Sequence, residues 1–400
     1  MKRRKRSRNR GVTLVLVTTI GAIVSILGLA MIHLGYHSRM LAARNVQSIT
    51  ARSAADAGMA EAIFKMQKKI VDELNWDDST IPTASNVNLV GANSDYSYTI
   101  SGTSSTGYQI DATGTSGPAT RTTHAGLLVG SYWEGIGVEE HVEVLLGATL
   151  GVVGPYADLG MEVRSNSILR NDMVFKAFVT VPGDVVCGPG SDPNVVIDTK
   201  NSTVIEGECY AATETLLFPD VQAPEGLPAK PAIDLGTNGM KVLTGESDSG
   251  MYPFINIGQG ATLQITGHVT LYVIGPMILN QASEVVIADS GSLTLYLGTS
   301  LEDKNSVGFS NQTYDAELLK IYGLPTCTDI DLKAMSRLDA AVYAPDAQVD
   351  IYNSGDFYGA VTAHDLYLKN SGNFYFDTRL LYVNIDDPAA VFVIGRWWEN

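Results

Sequence analysis

The chain has 400 residues, with 43 acidic and 27 basic side chains and a formal net charge of −16 at pH 7. Seven of the basic residues lie within the first ten, so the remainder is strongly acidic, at −23. Such a surface repels nucleic acid and anionic lipid, which excludes nucleic acid as a partner. At this length several modules are expected rather than one compact core.

The first predicted element is a membrane-spanning helix over residues 12–38. The helix follows a basic leader at residues 1–11, which consists of MKRRKRSRNR and Gly11. Residues 12–38 themselves carry no charged side chain. About 20 apolar residues cross a hydrocarbon core of ~30 Å, whereas the apolar region of a signal peptide has only about 7–15. The basic head predicts a cytoplasmic N-terminus and an exported remainder. A cleaved signal peptide, a plain anchor and a processed leader remain alternatives.

The helix is predicted to continue through residues 39–78 as an amphipathic extension. This segment is rich in good helix formers and has no proline before Pro82. A helix from Val12 to Asn75 would be about 95 Å long, and two helices broken near Gly35 are the alternative. Three- and four-residue spacing predicts one buried apolar stripe. Its members are Val46, Ile49, Ala57, Ala60, Ile63, Ile70 and Leu74.

Segment 1–75 combines a short basic head, a glycine before the apolar run RGVTLVLVTTIGAIVSILGLAM, and the Ala-rich stretch ARSAADAGMAEAIFKM. In these features the chain resembles type IV pilin-like proteins, and PilX-type minor pilins in particular. The resemblance implies cleavage by a prepilin peptidase between Gly11 and Val12, and packing of the helix against other pilin-like subunits. Such proteins usually carry a glutamate five residues after the cut, where this chain has Leu16. That departure suits a filament tip, an initiating complex or an uncleaved anchor.

A small antiparallel β-meander is predicted for residues 84–133. Tyr96, Tyr98 and Ile100 share one parity, and glycines punctuate the segment at turn spacing. One face of the meander is therefore apolar. As in the head of a pilin, this face is expected to cover the amphipathic part of the helix.

Two further β regions are predicted at residues 145–217 and 237–400, separated by a proline-rich connector at 218–236. Short apolar strands alternate with turns throughout both. The predicted fold class is therefore α+β and mostly β. Segment 301–338 departs from the local rhythm and is predicted as an insertion.

The second β region is built from eight-residue units. A run of five consecutive units begins at Ala261, and a run of six begins at Ala340. VTLYVIG at Val269 returns as LTLYLG at Leu293, and NSGDFY at Asn353 returns after a shorter interval as NSGNFY at Asn370. Short strands at near-constant spacing predict a parallel β-solenoid, whose stacked coils share one core. A β-sandwich gives similar spacing and is the alternative.

Cys187 and Cys209 lie in one polar segment and predict a disulfide. In an exported chain such a bridge persists, and it would contribute about 3 kcal/mol by closing its loop. Cys327 is left over and is expected to fill the core. No CxxC motif points to zinc or redox chemistry.

No catalytic constellation stands out in the sequence. Successive eight-residue units carry Asp350, Asp356 and Asp365, the candidates for paired-carboxylate glycosidase chemistry. Calcium would favour clustered carboxylates. The candidates for that role are Asp329, Asp331 and Asp339. Both groupings are expected by chance in so acidic a chain, so no enzymatic activity, cofactor or metal is predicted.

Aromatic residues in the last block have two interpretations. Tyrosines recur there at Tyr343, Tyr352, Tyr358, Tyr367 and Tyr375. They are expected to pack between coils, and a sugar-binding row is the alternative. The terminal pair Trp397 and Trp398 is expected to cap the last coil.

These observations favour a single-pass protein of the cytoplasmic membrane with its bulk in the periplasm or outside the cell. The predicted role is that of a minor pilin or pseudopilin in type IV pilus biogenesis or type II-like secretion. Its expected partners are the membrane, pilin-like subunits and a prepilin peptidase. The alternative is a membrane-tethered adhesin or polysaccharide-active enzyme that binds surface carbohydrate.

Overall fold

The structure is a computed structural model that describes residues 10–72, 76–145, 147–333, 337–352, 355–369 and 372–399. Within these residues the chain is mostly β, with one long N-terminal apolar helix, as predicted. It divides into two compact units. The first comprises the chain up to Met66, Asp78–Leu127 and the residues from Ile394 onward, and the second comprises Gln67–Asp77 and Leu128–Val393.

Helix α1 (Arg10–Asp72) is continuous over 63 residues, about 95 Å. The alternative of two helices broken near Gly35 is therefore wrong. The predicted apolar stripe is also wrong, because Val46 and Ile49 are 63% and 66% exposed. Its last member, Leu74, lies outside the described residues. Six smaller or flexible side chains are fully buried instead: Ala51, Ala54, Ala55, Met59, Ala62 and Met66.

The first unit also contains an antiparallel meander that covers this face of α1. Its strands are β1 (Ala84–Asn88), β2 (Asp95–Thr103), β3 (Gly107–Ser116) and β4 (Ala119–Ser131). Tyr96 and Tyr98 both face inward, as their shared parity predicts, and both are buried. Gly114 allows close approach, because a Cβ there would lie 2.0 Å from the carbonyl oxygen of Ala51.

The second unit begins with ten short strands and one helical turn, α2 (Pro193–Val196). The strands are β5 (Gly135–Val138), β6 (Val142–Val144), β7 (Leu150–Val153), β8 (Glu162–Ser165), β9 (Met173–Phe175), β10 (Thr180–Val181), β11 (Asp184–Cys187), β12 (Ile197–Thr199), β13 (Val204–Ile205) and β14 (Cys209–Ala211).

The remaining strands begin at Ile233, within the predicted connector 218–236. They are β15 (Ile233–Leu235), β16 (Met240–Leu243), β17 (Gly250–Tyr252), β18 (Ile255–Ile257), β19 (Thr262–Ile265), β20 (His268–Val273), β21 (Met277–Leu279), β22 (Glu284–Ile287), β23 (Ser292–Leu297), β24 (Ser300–Asp303), β25 (Gly308–Asn311), β26 (Leu319–Gly323), β27 (Asp329–Leu332), β28 (Arg337–Tyr352), β29 (Asp356–Lys369), β30 (Phe374–Asp377) and β31 (Ala390–Glu399).

Within the described residues, 20 of these strands form one large sheet whose pairs are parallel, beside a parallel sheet of β16, β19, β22 and β25. This pairing differs from the antiparallel pairing of a β-sandwich. In both sequence echoes, the repeated residues pair with each other on neighbouring parallel strands. Val269 of β20 pairs with Leu293 of β23, and Phe357 of β29 pairs with Phe374 of β30. The longer and the shorter echo therefore reflect different lengths of chain between paired parallel strands.

The two predicted β regions belong to the same sheet. Strand β29 pairs with β5 and β6, and β30 pairs with β7. The chain therefore enters the sheet in its middle, and β5–β9, β11, β12 and β14 extend the ladder beyond β30, whereas β10 and β13 pair with each other in a separate two-stranded sheet. Segment 301–338 does not interrupt the ladder either, because it contributes β25, β26 and β27 in register with their neighbours.

Apolar side chains between the strands of the second unit form one continuous core. Aromatic rings stack between the paired strands β29 and β30, with centroids 5.1 Å apart for Phe357 and Phe374 and 4.8 Å for Tyr358 and Tyr375. The predicted packing role of the tyrosines is confirmed for this last pair. The predicted cap is wrong: Trp397 and Trp398 lie in β31, which adjoins β4 in the five-stranded sheet.

Candidate functional site

The most unusual surface of the described chain is the first half of α1. Every described side chain from Leu16 to Arg39 is exposed, and an 18-residue window within the helix has a mean hydropathy of 2.1 with none of it buried. By length and composition this helix is able to cross a membrane. A contiguous apolar surface of this size is not stable in water, so it requires lipid or other helices as its surroundings.

The predicted processing site lies at the start of this helix. The backbone of Gly11 and Val12 is helical, and their side chains lie outside the described residues. Leu16 is 59% exposed and is apolar. It cannot form the ion pair with an amine that a glutamate at this position would form.

The second half of α1 is fixed to the meander by a polar cluster of Glu61, Lys65 and Tyr96. The Lys65 ammonium lies 2.5 Å from Glu61 Oε1, and the hydroxyl of Tyr96 donates to the same carboxylate. These hydrogen bonds, that from Lys65 first, lower the pKa of Glu61, and the bond to Glu61 raises the pKa of Tyr96 to about 12. The cluster therefore keeps α1 in one rotational setting on the sheet.

Each glycosidase candidate forms hydrogen bonds with neighbouring backbone or side chains. Asp350 accepts from Lys369 Nζ at 2.5 Å and from the Tyr352 hydroxyl at 2.9 Å. Asp356 accepts from Asn373 Nδ2 at 2.9 Å.

The third candidate, Asp365, accepts the backbone N–H of His141 at 3.0 Å. Its neighbours include a group that the sequence did not predict. Ligand atoms of Glu140, His364 and Asp365 all lie within 4.8 Å of one another. Sequence spacing gives no indication of this group, since Glu140 and the other two residues meet only through the pairing of β29 with β5 and β6.

The calcium candidates are divided between two places. Asp329 and Asp331 line a groove of about 550 Å³ together with Asp350. Burial raises the pKa of Asp331, and the charge of Asp350 raises it further. Asp339 lies elsewhere: it is fully buried and accepts two hydrogen bonds from Arg337, at 2.7 and 2.6 Å.

All three cysteines are free thiols in the structure. Cys209 pairs with Val185, two residues before Cys187, on adjacent parallel strands. This register places the Cα atoms of the two cysteines about 8 Å apart, beyond the usual span of a disulfide. The predicted bridge therefore requires one strand to shift. Cys327 is buried, and burial raises the pKa of its thiol to about 12.

Comparison with known proteins found a family model and solved structures that match the chain. The model of a family described as "Domain of unknown function (DUF7305)" matches residues 232–382, which span β15 to β30. No curated protein matches the chain. The crystal structure of the competence-associated pilin ComZ from Thermus thermophilus is similar to 88% of this chain over 98% of its own, with 12% identity and a TM-score of 0.24. A TM-score this low carries no structural or functional argument.

Proposed function

We propose that this chain is a membrane-anchored, pilin-like structural subunit, a minor pilin or pseudopilin that acts in pilus biogenesis or in a type II-like secretion system. The observation that carries the proposal is the division of α1. Its first half is apolar and fully exposed, whereas its second half is buried against an antiparallel sheet in the same unit. One rigid helix thereby joins a membrane or filament core to a folded head.

The basic head supports the proposed orientation. Lys and Arg cluster before the apolar segment, so the N-terminus stays in the cytoplasm and the acidic remainder is exported. The PilX-like features of segment 1–75 support prepilin-peptidase processing after Gly11. With Leu16 in place of the usual glutamate, the subunit suits the tip or initiating complex of a filament.

In this proposal the α1 helix anchors the chain and displays the exported β domain outside the membrane. The parallel ladders from β5 to β30 support a β-solenoid as its architecture, with coils that share one core. The interactions of Asp350 and Asp356 with Lys369 and Asn373 support a structural rather than an enzymatic role for these carboxylates.

The N-terminus of the mature chain tests this proposal. The chain is expressed in cells that carry a prepilin peptidase, and its N-terminal peptide is identified by mass spectrometry. We expect Val12 as the first residue. Gly11→Leu is expected to retain Met1, whereas Gly21→Leu is the matched control, since a side chain at Gly21 meets no neighbour within 4 Å.

Two results would decide against the proposal. If the wild-type chain and both variants all retain Met1, the helix is a plain anchor. If the wild-type chain is released from membranes without its apolar segment, the leader is a signal peptide. Cleavage at Val12 in the wild-type and Gly21→Leu chains alone supports the pilin-like subunit.

A further inference from the structure

Two histidines lie one helical turn apart near the end of the apolar half of α1. His33 and His37 are both exposed, and their Nε2 atoms are 3.0 Å apart. Side chains four residues apart lie on the same face of a helix, so the backbone holds both rings toward the same point. The short distance between the two rings is set by one continuous helix and does not depend on the position of a loop.

The separation of the two nitrogens matches that of two ligands on one metal ion. Imidazole nitrogens bind Zn²⁺ at about 2.0–2.1 Å. When the N–Zn–N angle lies between a right angle and the tetrahedral angle, the two nitrogens are roughly 2.9–3.4 Å apart. The observed 3.0 Å falls within this range. In the metal-free pair one Nε2–H donates to the other Nε2. In the bound pair each ring carries its proton on Nδ1 and both Nε2 lone pairs face the ion.

We propose that His33 and His37 chelate a divalent transition-metal ion of the Zn²⁺ or Cu²⁺ class, with water in the remaining positions. Neutral imidazole is a common ligand of these ions, and their affinity for nitrogen sites exceeds that of Mn²⁺ or Fe²⁺. Carboxylate-preferring Ca²⁺ and Mg²⁺ do not fit a site made of two imidazoles.

The location of the pair gives an ion access to it. A hydrocarbon core of ~30 Å that begins near Val12 ends about 20 residues later, just before His33. The pair then lies at the level of the lipid headgroups, beside Arg39, where water and ions reach it. This placement rests on the proposed function, whereas the chelation itself rests only on the geometry of α1.

The test uses the full chain, purified in detergent micelles. Zn²⁺ affinity is measured by competition with a chromogenic chelator, and the nitrogen ligands of bound Cu²⁺ are counted by electron paramagnetic resonance. We expect His37→Ala to weaken Zn²⁺ binding at least about tenfold. Loss of a residue that only supports a metal ligand already weakens metal affinity about 10–100-fold, and loss of a ligand itself should cost no less. The Cu²⁺ spectrum should change from two coupled nitrogens to one.

A matched control keeps the histidine count. Gly35→His with His37→Ala places two histidines at a two-residue spacing, on different faces of α1, and a side chain at Gly35 meets no neighbour within 4 Å. This double variant should bind as weakly as His37→Ala. His364→Ala, which removes one member of the group with Glu140 and Asp365, should leave the high-affinity site unchanged.

Equal affinity of the wild-type chain and the double variant would overturn the proposal. Loss of binding in His364→Ala but not in His37→Ala would also overturn it and assign the ion to the second unit. Metal binding is measured whether or not Gly11 is cleaved, so failure of this inference is distinguishable from failure of the proposed function.

Discussion

Gly114 is the point at which strand β3 lies closest to α1, and Gly114→Ala is expected to loosen that contact. An alanine Cβ at this position would lie 2.0 Å from the carbonyl oxygen of Ala51 and 2.4 Å from the amide nitrogen of Ala55. Carbon and oxygen atoms normally approach to about 3.3–3.6 Å, so strand and helix must separate by roughly 1.3 Å. Both clashing atoms are backbone atoms of a helix, so no side-chain rotation relieves the contact.

The cost follows from the six side chains of α1 that are fully buried, four alanines and two methionines. Their burial contributes about 7 kcal/mol at ~0.8 kcal/mol per methyl and ~2 kcal/mol per methionine. A gap of 0.5–1 Å already removes roughly a quarter to a half of such packing energy. The separation of roughly 1.3 Å exceeds that gap, so the expected loss is at least about 2–4 kcal/mol in the local free energy of opening.

Hydrogen exchange with mass spectrometry measures this loss in peptides from β2, β3 and residues 51–66. At about 1.4 kcal/mol per tenfold, exchange there should accelerate roughly 30-fold to 700-fold. Gly126→Ala in β4 is the matched control, because a Cβ there meets only Arg396 Cβ, at 3.9 Å. If the two variants exchange equally, Gly114 does not set the distance between helix and sheet.

Three further predictions concern the second unit. Arg337→Met leaves the buried carboxylate of Asp339 without its partner and should lower the free energy of unfolding by about 3–5 kcal/mol in denaturant titrations, with much of it restored when Asp339→Asn is added. Burial raises the pKa of Asp331 above 3.8, so stability falls as the pH rises through that pKa. Asp331→Asn should therefore be more stable than the wild-type chain at pH 7 but not at pH 3, and an equal gain at both would contradict the sign. Phe374→Ala removes a fully packed ring stacked on Phe357 and should lower the free energy of unfolding by about 3–5 kcal/mol, whereas a loss below about 1 kcal/mol would contradict coil-to-coil stacking.

The sequence predicted local features well because each leaves a pattern in neighbouring residues. The uninterrupted apolar run predicted a continuous α1. The echoes beginning at Val269 and Leu293 predicted parallel pairing, since equivalent residues of the paired strands occupy equivalent places in the core. The shorter echo is explained the same way, by a shorter stretch of chain between Phe357 and Phe374.

Features set by tertiary contact were not predictable from those patterns. The buried face of α1 is selected by size as well as by hydrophobicity. Ala51 and Ala55 face Gly114 because only small groups allow the sheet so near, and the larger Val46 and Ile49 remain exposed. The group of Glu140, His364 and Asp365 and the position of Trp398, which stacks on His124 at 5.3 Å, depend on pairings between distant segments.

The entry of the chain into the middle of its own parallel sheet has a consequence for biogenesis. The amide of His141 binds Asp365, which the ribosome adds 224 residues later. At ~5–20 residues per second, the edge formed by β5, β6 and β7 waits about 10–45 s for the strands that cover it. During synthesis that hydrogen-bonding edge must stay unfolded or covered, because premature pairing with a neighbouring nascent chain would yield a domain-swapped aggregate.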